Sequence, residues 1–437
     1  MGSNRTVTLA VAVATLGNIV DIYDLILFGM VRIASLKDLG ITDKAELTEQ
    51  GLFLLNMQMI GMLTGGILWG VLGDKRGRLS VLFGSITLYS LANIANGFVD
   101  SVGSYAVCRL IAGLGLAGEL GAGITLVSEL MGRQARGIGT TLVAALGLLG
   151  GVAAGLAGGA IPGVGVDWRT AYFIGGGMGL ALLVLRIGVV ESGMFARVAA
   201  QKHLSRGNFF LLFTDRRRLG RYLAIIAVGV PAWYIVGILN AFSPEIGTAL
   251  GMPEPPRAAT ALTLAYAGGT IGNLASGLLS QRLRSRRAAL GVFLVGGVAV
   301  VTTYFAVGGT SLTVFYVLAA LGGLALGNWA VLVSTAAELF GTNLRATVAT
   351  TVPNFVRGST VLLVLGFQEL RGPYGVLGGA IAVGVFAFGV AFAGLASLRE
   401  TFGVDLDFHE EGTEGKPPPL SPLPRAEVHK GGATSGE

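Results

Sequence analysis

Long apolar runs, each closed by a short polar cluster, set the rhythm of this chain. Twelve can be laid out, over about 7–33, 51–72, 79–98, 102–128, 137–160, 170–190, 220–242, 259–279, 288–307, 311–337, 346–367 and 374–397. Each is near the roughly 20 residues that a helix needs to cross the hydrocarbon layer of a bilayer. They are too long for the roughly ten-residue alternating strands of a membrane barrel. The pattern predicts an all-α membrane protein with twelve transmembrane helices. Its longest polar break falls between the sixth and seventh runs, which predicts an N-terminal six-helix bundle over 1–190, a cytoplasmic linker over 191–219 and a C-terminal six-helix bundle over 220–402. From 403 to 437 the chain is polar and carries Lys416-Pro-Pro-Pro-Leu-Ser-Pro-Leu-Pro, which reads as a disordered tail.

Composition agrees. Hydrophobic residues make up 52% and charged residues only 13%, about half of what a soluble domain carries. The chain is too apolar to be disordered, and a single cysteine, Cys108, excludes a disulfide scaffold. A net charge of +6, interrupted by apolar runs, does not suit a nucleic-acid partner. The expected partners are the lipid bilayer and a small-molecule substrate, for a monomer in the plasma (inner) membrane. Lys and Arg cluster in alternate loops: Lys75, Arg76 and Arg78; Arg133 and Arg136; Arg216, Arg217, Arg218 and Arg221; Arg282, Arg284, Arg286 and Arg287. That bias puts both termini in the cytoplasm. Arg32, Lys37 and Lys44 then fall in an outside loop. The first run is too long, and with two aspartates too polar, for a cleavable signal peptide. Met1-Gly2 with Thr6 fits a myristoylation pattern, but a twelve-span protein needs no such anchor.

Two polar signatures recur at nearly one offset, about 207–209 residues. Gly70-Val-Leu-Gly-Asp74-Lys-Arg-Gly77-Arg78 after the second span is echoed by Gly277-Leu-Leu-Ser-Gln281-Arg-Leu-Arg-Ser-Arg286-Arg287 after the eighth. Glu129-Leu-Met-Gly132-Arg-Gln-Ala-Arg136 after the fourth is echoed by Glu338-Leu-Phe-Gly341-Thr-Asn-Leu-Arg345 after the tenth. The chain reads as a duplicated six-span unit, and an even number of spans makes the repeats parallel. At the inner face, a carboxylate ending one helix can pair with an arginine starting the next. Gly70, Asp74, Gly77, Arg78, Glu129, Arg136, Glu338 and Arg345 are candidates for latches that hold one conformation; the alternative is a static staple.

The Gly70–Arg78 sequence resembles the loop motif of the major facilitator superfamily, and the resemblance runs over about 400 residues. It implies two six-helix bundles around a central cavity, working by alternating access. Gln281 stands where the second copy would have its aspartate.

Charge inside a bilayer is costly and usually functional. The first span carries Asp21 and Asp24, and the fourth carries Arg109 and Glu119. At 1.5 Å per residue, Asp24 lies roughly 25 Å and Arg109 roughly 28 Å above the inner ends of their helices. Matching depth suggests an Asp24–Arg109 pair that a proton or substrate would break. Thr15-Leu-Gly17…Tyr23-Asp24 resembles the first helix of proton-coupled sugar porters, and Arg109-Leu-Ile-Ala-Gly113-Leu-Gly115 the superfamily's fourth-helix motif. The resemblance implies that Asp24 takes the proton and Arg109 gates it. Gly118-Glu119 resembles a Gly-Gly-Glu of metabolite–proton symporters, and Glu119 is either a second proton site or a bond to a neighbouring helix. Arg357, near the middle of the eleventh span, has no acid at its depth in spans seven to twelve. It needs a substrate carboxylate, backbone carbonyls, or a reach across to Asp21 or Asp24. Its position twelve residues after Arg345 resembles a cavity-facing arginine of organic ion transporters and metabolite–proton symporters. Asn354, Asn328, Trp329, Tyr234, Asn240, Tyr266 and Asn56 are further substrate-contact candidates; each is equally suited to anchoring or helix–helix bonding.

The chain therefore reads as a secondary active transporter, a proton symporter of a small organic anion or polar metabolite. The seventh span lacks the Gln-Gln and Asn-rich run of sugar porters. The fifth places Gly147, Gly151, Gly155 and Gly159 at four-residue spacing for close helix approach and lacks the Gly-Pro of many drug antiporters. Proton-coupled efflux, or a non-transporting receptor on the same scaffold, are the alternatives. His203, His409 and His429 lie in a loop or the tail, and no nucleophile or metal constellation appears. Neither an enzyme, a metal site nor a cofactor other than the coupling proton is expected.

Overall fold

The computed structural model describes residues 4–76, 78–119, 142–191 and 209–404. Gly77, Glu129 and Arg136 lie outside the described residues, as do the side chains of Asp74 and Arg78. Among the described residues the chain is helical, with turns and one isolated bridge between Ile161 and Val164. Helices suit apolar surroundings because they satisfy every internal backbone group within the segment. The N-terminal half contains α1 (Asn4–Asp38), α2 (Lys44–Arg76), α3 (Arg78–Asn96), α4 (Val102–Leu116), α5 (Leu142–Ala157) and α6 (Trp168–Glu191). A 3₁₀ turn (Phe209–Phe213) leads to α7 (Arg216–Tyr234), which carries Pro231 and continues as a π-helix over Ile235–Asn240. Then come α8 (Ser243–Ala249), α9 (Ala258–Leu283), α10 (Arg286–Val307), α11 (Leu312–Leu326), α12 (Trp329–Glu338) and α13 (Thr342–Ser397).

Among the described residues seven helical stretches are long and apolar enough to cross a membrane, one of them α11 and α12 taken together over Leu312–Glu338, and three shorter apolar helices accompany them. The eleventh and twelfth expected spans are two helices that meet at Gly375, where φ of 70° and ψ of 175° are non-helical; α13 denotes the pair. The tenth is divided into α11 and α12 at Gly327-Asn328. The break is bridged from α9: Asn273 Oδ1 accepts from the Ala330 N–H at 2.9 Å, and the Ser276 hydroxyl donates to the Gly327 carbonyl at 2.6 Å. The first span continues past its expected end. Helix α1 runs to Asp38, so Arg32 sits within it and is 1% exposed, not in an outside loop. Leu278, Leu362 and Val385 point outward, 68–72% exposed, as lipid-facing side chains do.

The duplication is visible in the packing. In the N-terminal half, a Cβ added to Gly61 would overlap the Leu110 carbonyl, one on Gly65 the Leu114 carbonyl, and one on Gly113 the Gln58 carbonyl. In the C-terminal half, Gly268 meets the Ala320 carbonyl, Gly272 the Leu324 carbonyl and Gly323 the Ala265 carbonyl. These are equivalent positions at the repeat offset. Helices α2 and α4 thus cross backbone to backbone as α9 and α11 do. Gly113→Ala and Gly323→Ala should each cost about 1–3 kcal/mol through overpacking. Gly103→Ala, where the added carbon meets nothing within 4 Å, should be neutral. Thermal unfolding in detergent measures the difference.

Candidate functional site

The two halves meet at three levels. At the centre, Arg357 Nη2 on α13 donates to Asp21 Oδ2 on α1 at 3.2 Å. Asp21 is wholly buried and Arg357 is 1% exposed. The pair is half satisfied: Arg357 Nε and Nη1 have no acceptor, and Asp21 Oδ1 has no donor. The Tyr266 ring, from α9, packs against Gly151 of α5 beside this pair. Toward the inner side, Asn354 Nδ2 donates to the Ala117 carbonyl at 2.8 Å, and Leu63 fills the space at Gly358. Toward the outer side, Arg32 Nη2 pairs with Glu245 Oε1 at 2.7 Å while its guanidinium lies 4.2 Å from the Phe242 ring centroid. Thr48 also donates to Glu245, at 3.4 Å, and Thr260 donates to the Ala160 carbonyl at 2.7 Å.

Within the N-terminal half, Asp24 is wholly buried and neither carboxyl oxygen has a hydrogen-bond partner. It rests on Gly175 of α6, where a side chain would strike Oδ1, with Asn93 of α3 beside it. The expected Asp24–Arg109 ion pair is absent. Arg109 donates instead to the Gln58 side-chain carbonyl and, at 3.4 Å, to the Tyr172 hydroxyl, and lies 4.9 Å from the Phe28 ring centroid. Equal depth fixes height along the bundle but not direction around each helix, so the two groups share a level without touching.

Glu119 is held by Arg186 of α6. Nη1 donates to Oε2 at 2.8 Å, and Nη2 donates to Oε1. Both partners are at least 95% buried. Gly17 of α1 makes room for this fork, since a Cβ there would overlap both groups. The helix-bonding reading of Glu119 therefore describes its geometry. Arg186 falls inside the sixth apolar run, as Arg109 and Arg357 fall inside theirs, but the sequence assigns it no role. Gln58 gave no signal, because a neutral amide is unremarkable in a span.

The other candidates divide. Tyr266, Asn354 and Arg357 come together between the halves. Tyr234 does not: its hydroxyl donates to the Ala380 carbonyl at 2.9 Å and its ring packs near Gly384, toward the far end of α13. Asn240 closes the π-helix by donating to the Ile235 carbonyl at 3.0 Å. In each, a nearby carbonyl takes the donor, and Asn240 Oδ1 stays buried without a partner. Asn328 stands at the N-cap position of α12 without a side-chain cap bond, and Trp329 packs against the core. Asn56 is buried with its Oδ1 unpartnered. At the inner face, Glu338 pairs with Arg286 at 3.0 Å and accepts from Thr401 at 2.8 Å. Its salt-bridge partner thus comes from the start of α10. Arg345 donates to the Ala337 carbonyl at 3.2 Å.

A sequence profile described as Major Facilitator Superfamily matches residues 9–363. A probable 4-methylmuconolactone transporter of Cupriavidus pinatubonensis is 28% identical over 404 residues, covering 89% of this chain and 89% of that protein. The 3-(3-hydroxy-phenyl)propionate transporter of Escherichia coli is 26% identical over 353 residues, covering 79% and 85%. A solved proton:xylose symporter bound to 6-bromo-6-deoxy-D-glucose matches with a TM-score of 0.70 at 15% identity, over 93% of this chain and 98% of that one. At that identity the likeness is one of fold.

The Glu119–Arg186 fork gives a direct test of how buried charge is balanced here. Glu119→Leu or Arg186→Leu alone should cost about 3–5 kcal/mol by leaving its partner unpaired, and the double variant should cost less than either. A double-mutant cycle on unfolding in detergent reads this out.

Proposed function

The chain belongs to the major facilitator superfamily of multi-pass membrane transporters, and from that premise we propose that it is a proton symporter of a small organic anion, a ring-bearing monocarboxylate, working by alternating access in the cell's inner membrane. The observation that carries the reading is the half-satisfied Arg357 between the two halves. A guanidinium keeps its charge and seeks acceptors for all its donors. Here Nη2 serves Asp21 while Nη1 and Nε serve nothing. A substrate carboxylate can take Nη1 and Nη2 together as a bidentate pair, competing with Asp21 for one of them. Binding then loosens a contact that joins the halves, which links occupancy to rearrangement. The relatives that transport 3-(3-hydroxy-phenyl)propionate and 4-methylmuconolactone support a ring-bearing substrate.

Asp24 is the proton carrier in this reading. A buried carboxylate without a partner costs several kcal/mol, and a bound proton relieves that cost. Loading a proton on Asp24 and an anion on Arg357 brings no net charge into the bundle core, so the loaded carrier crosses more easily than one carrying either alone.

Two outcomes test this. Titration with 3-phenylpropionate should stabilise the wild-type protein against heat, and its neutral amide should not. Arg357→Ala should weaken carboxylate binding at least tenfold, and unchanged affinity would remove the anion assignment. Asp24→Asn should abolish accumulation driven by a pH gradient while sparing substrate exchange in proteoliposomes; gradient-driven accumulation by that variant would sink the coupling role.

A further inference from the structure

Arg32 is anchored in its own half as well as to the other. Its stem lies against Gly51 of α2, where an added Cβ would come within 2.6 Å of the arginine Cδ. Nη1 donates to the Leu47 carbonyl, also of α2, at 3.4 Å. The remaining partners belong to the C-terminal half. Nη2 donates to Glu245 Oε1 at 2.7 Å and to the Ala241 carbonyl at 3.4 Å, and the guanidinium lies 4.2 Å from the Phe242 ring centroid. If the halves part at this end, the arginine keeps its seat and loses its carboxylate.

The ion pair is also imperfect. Arg32 Nε has no acceptor and Glu245 Oε2 no donor, although both atoms are buried. A guanidinium offers paired N–H groups spaced for both oxygens of one carboxylate. Glu245 fills one of the two positions. Its carboxylate is tethered to the first turn of α8, and Oε1 also accepts from Thr48 at 3.4 Å. A diffusing carboxylate has no tether and can fill both.

Position adds to this. Arg32 follows Asp21 by eleven residues, close to three whole turns, so both stand on one face of α1, roughly 16 Å apart along the helix. That face fronts the C-terminal half, because Gly29, between them, lies against Leu262 and Ala241. Asp21 meets Arg357 on the same face. Two arginines, each holding a carboxylate of the opposite half by one ion-pair bond, thus mark two depths of one interface. The geometry points to Arg32 as an outer capture site for a substrate carboxylate, with Glu245 standing in for that carboxylate while the outer ends are together. With those ends apart, the anion takes Nε and Nη2 of Arg32. As they close, Glu245 returns, displaces the anion and leaves it to Arg357. This rests on the reading of the chain as an alternating-access carrier of organic anions.

The test is the external concentration of 3-phenylpropionate that half-saturates exchange in right-side-out proteoliposomes. Glu245→Gln removes the competing charge and should lower it about threefold. Arg32→Gln should raise it about tenfold, and the double variant should stay as weak as Arg32→Gln. A contact that only ties the halves together gives a different pattern: either single variant loosens it, so both shift half-saturation in one direction. Shifts in one direction, or a wild-type value in either single variant, would overturn the capture site. Arg32→Lys keeps the charge and lacks the fork, and it serves if Arg32→Gln does not fold. It should raise half-saturation about threefold, and a wild-type value would overturn the site equally. Arg357→Ala is run alongside. If it exchanges as wild type does, the central anion assignment has failed, and the opposed shifts at Arg32 and Glu245 still decide the outer site. No exchange of 3-phenylpropionate by the wild type would remove both.

Discussion

A guanidinium and a carboxylate, both withdrawn from water, hold the centre of this molecule together. Neither Arg357 nor Asp21 could be left there alone, because desolvating a single charge costs several kcal/mol even after relaxation. Together they are tolerable, and the geometry stays incomplete, with one bond made while Arg357 Nε and Nη1 and Asp21 Oδ1 have no partner. The pair joins α1 of one half to α13 of the other. Whatever separates the halves has to supply Arg357 with another acceptor. On the proposed reading, that requirement ties the chemistry of the substrate to the mechanics of the bundle.

The two halves share a way of packing and differ in what they bury. The glycine crossings of α2 on α4 and α9 on α11 are equivalent position by position. Charge is not duplicated. Among the described residues the N-terminal half buries Asp21, Asp24, Arg32, Arg109, Glu119 and Arg186, whereas the C-terminal half buries Arg218 and Arg357. Duplication thus preserved the scaffold while the interiors diverged.

Much of the fold was legible because lipid imposes a simple code. Length and apolarity mark helices, loop arginines mark a side, and two motif copies mark the duplication. The breaks were less legible. Splitting the tenth span depends on Asn273 and Ser276 reaching across from another helix, and nothing local to Gly327-Asn328 announces those partners. The site was legible in its members and not in its pairings. Arg109 and Asp24 were correctly expected deep in the bundle, but sequence spacing carries no rotation between different helices. Arg109 therefore found Gln58 and Tyr172, Glu119 found Arg186, and Glu338 found Arg286. Arg32 was misread for a different reason: α1 runs past its apolar stretch, so a charge near the run's end looked like loop when it was helix.

The Arg32–Glu245 contact on the outer side has an energetic reach beyond its own atoms. It exists when the outer ends of the halves are together, and it is supported there by Phe242 and Thr48. For a carrier that alternates between openings, such a clasp weights one member of the equilibrium and not the other. Each 1.4 kcal/mol it contributes multiplies the closed-outside population tenfold. The idle protein is then biased in which face it shows the cell's surroundings, and ligand arriving from outside must first find the minority that is open, so its apparent affinity is reduced by that fraction. A pair of side chains distant from the binding centre would in this way set how scarce a substrate the cell can still collect.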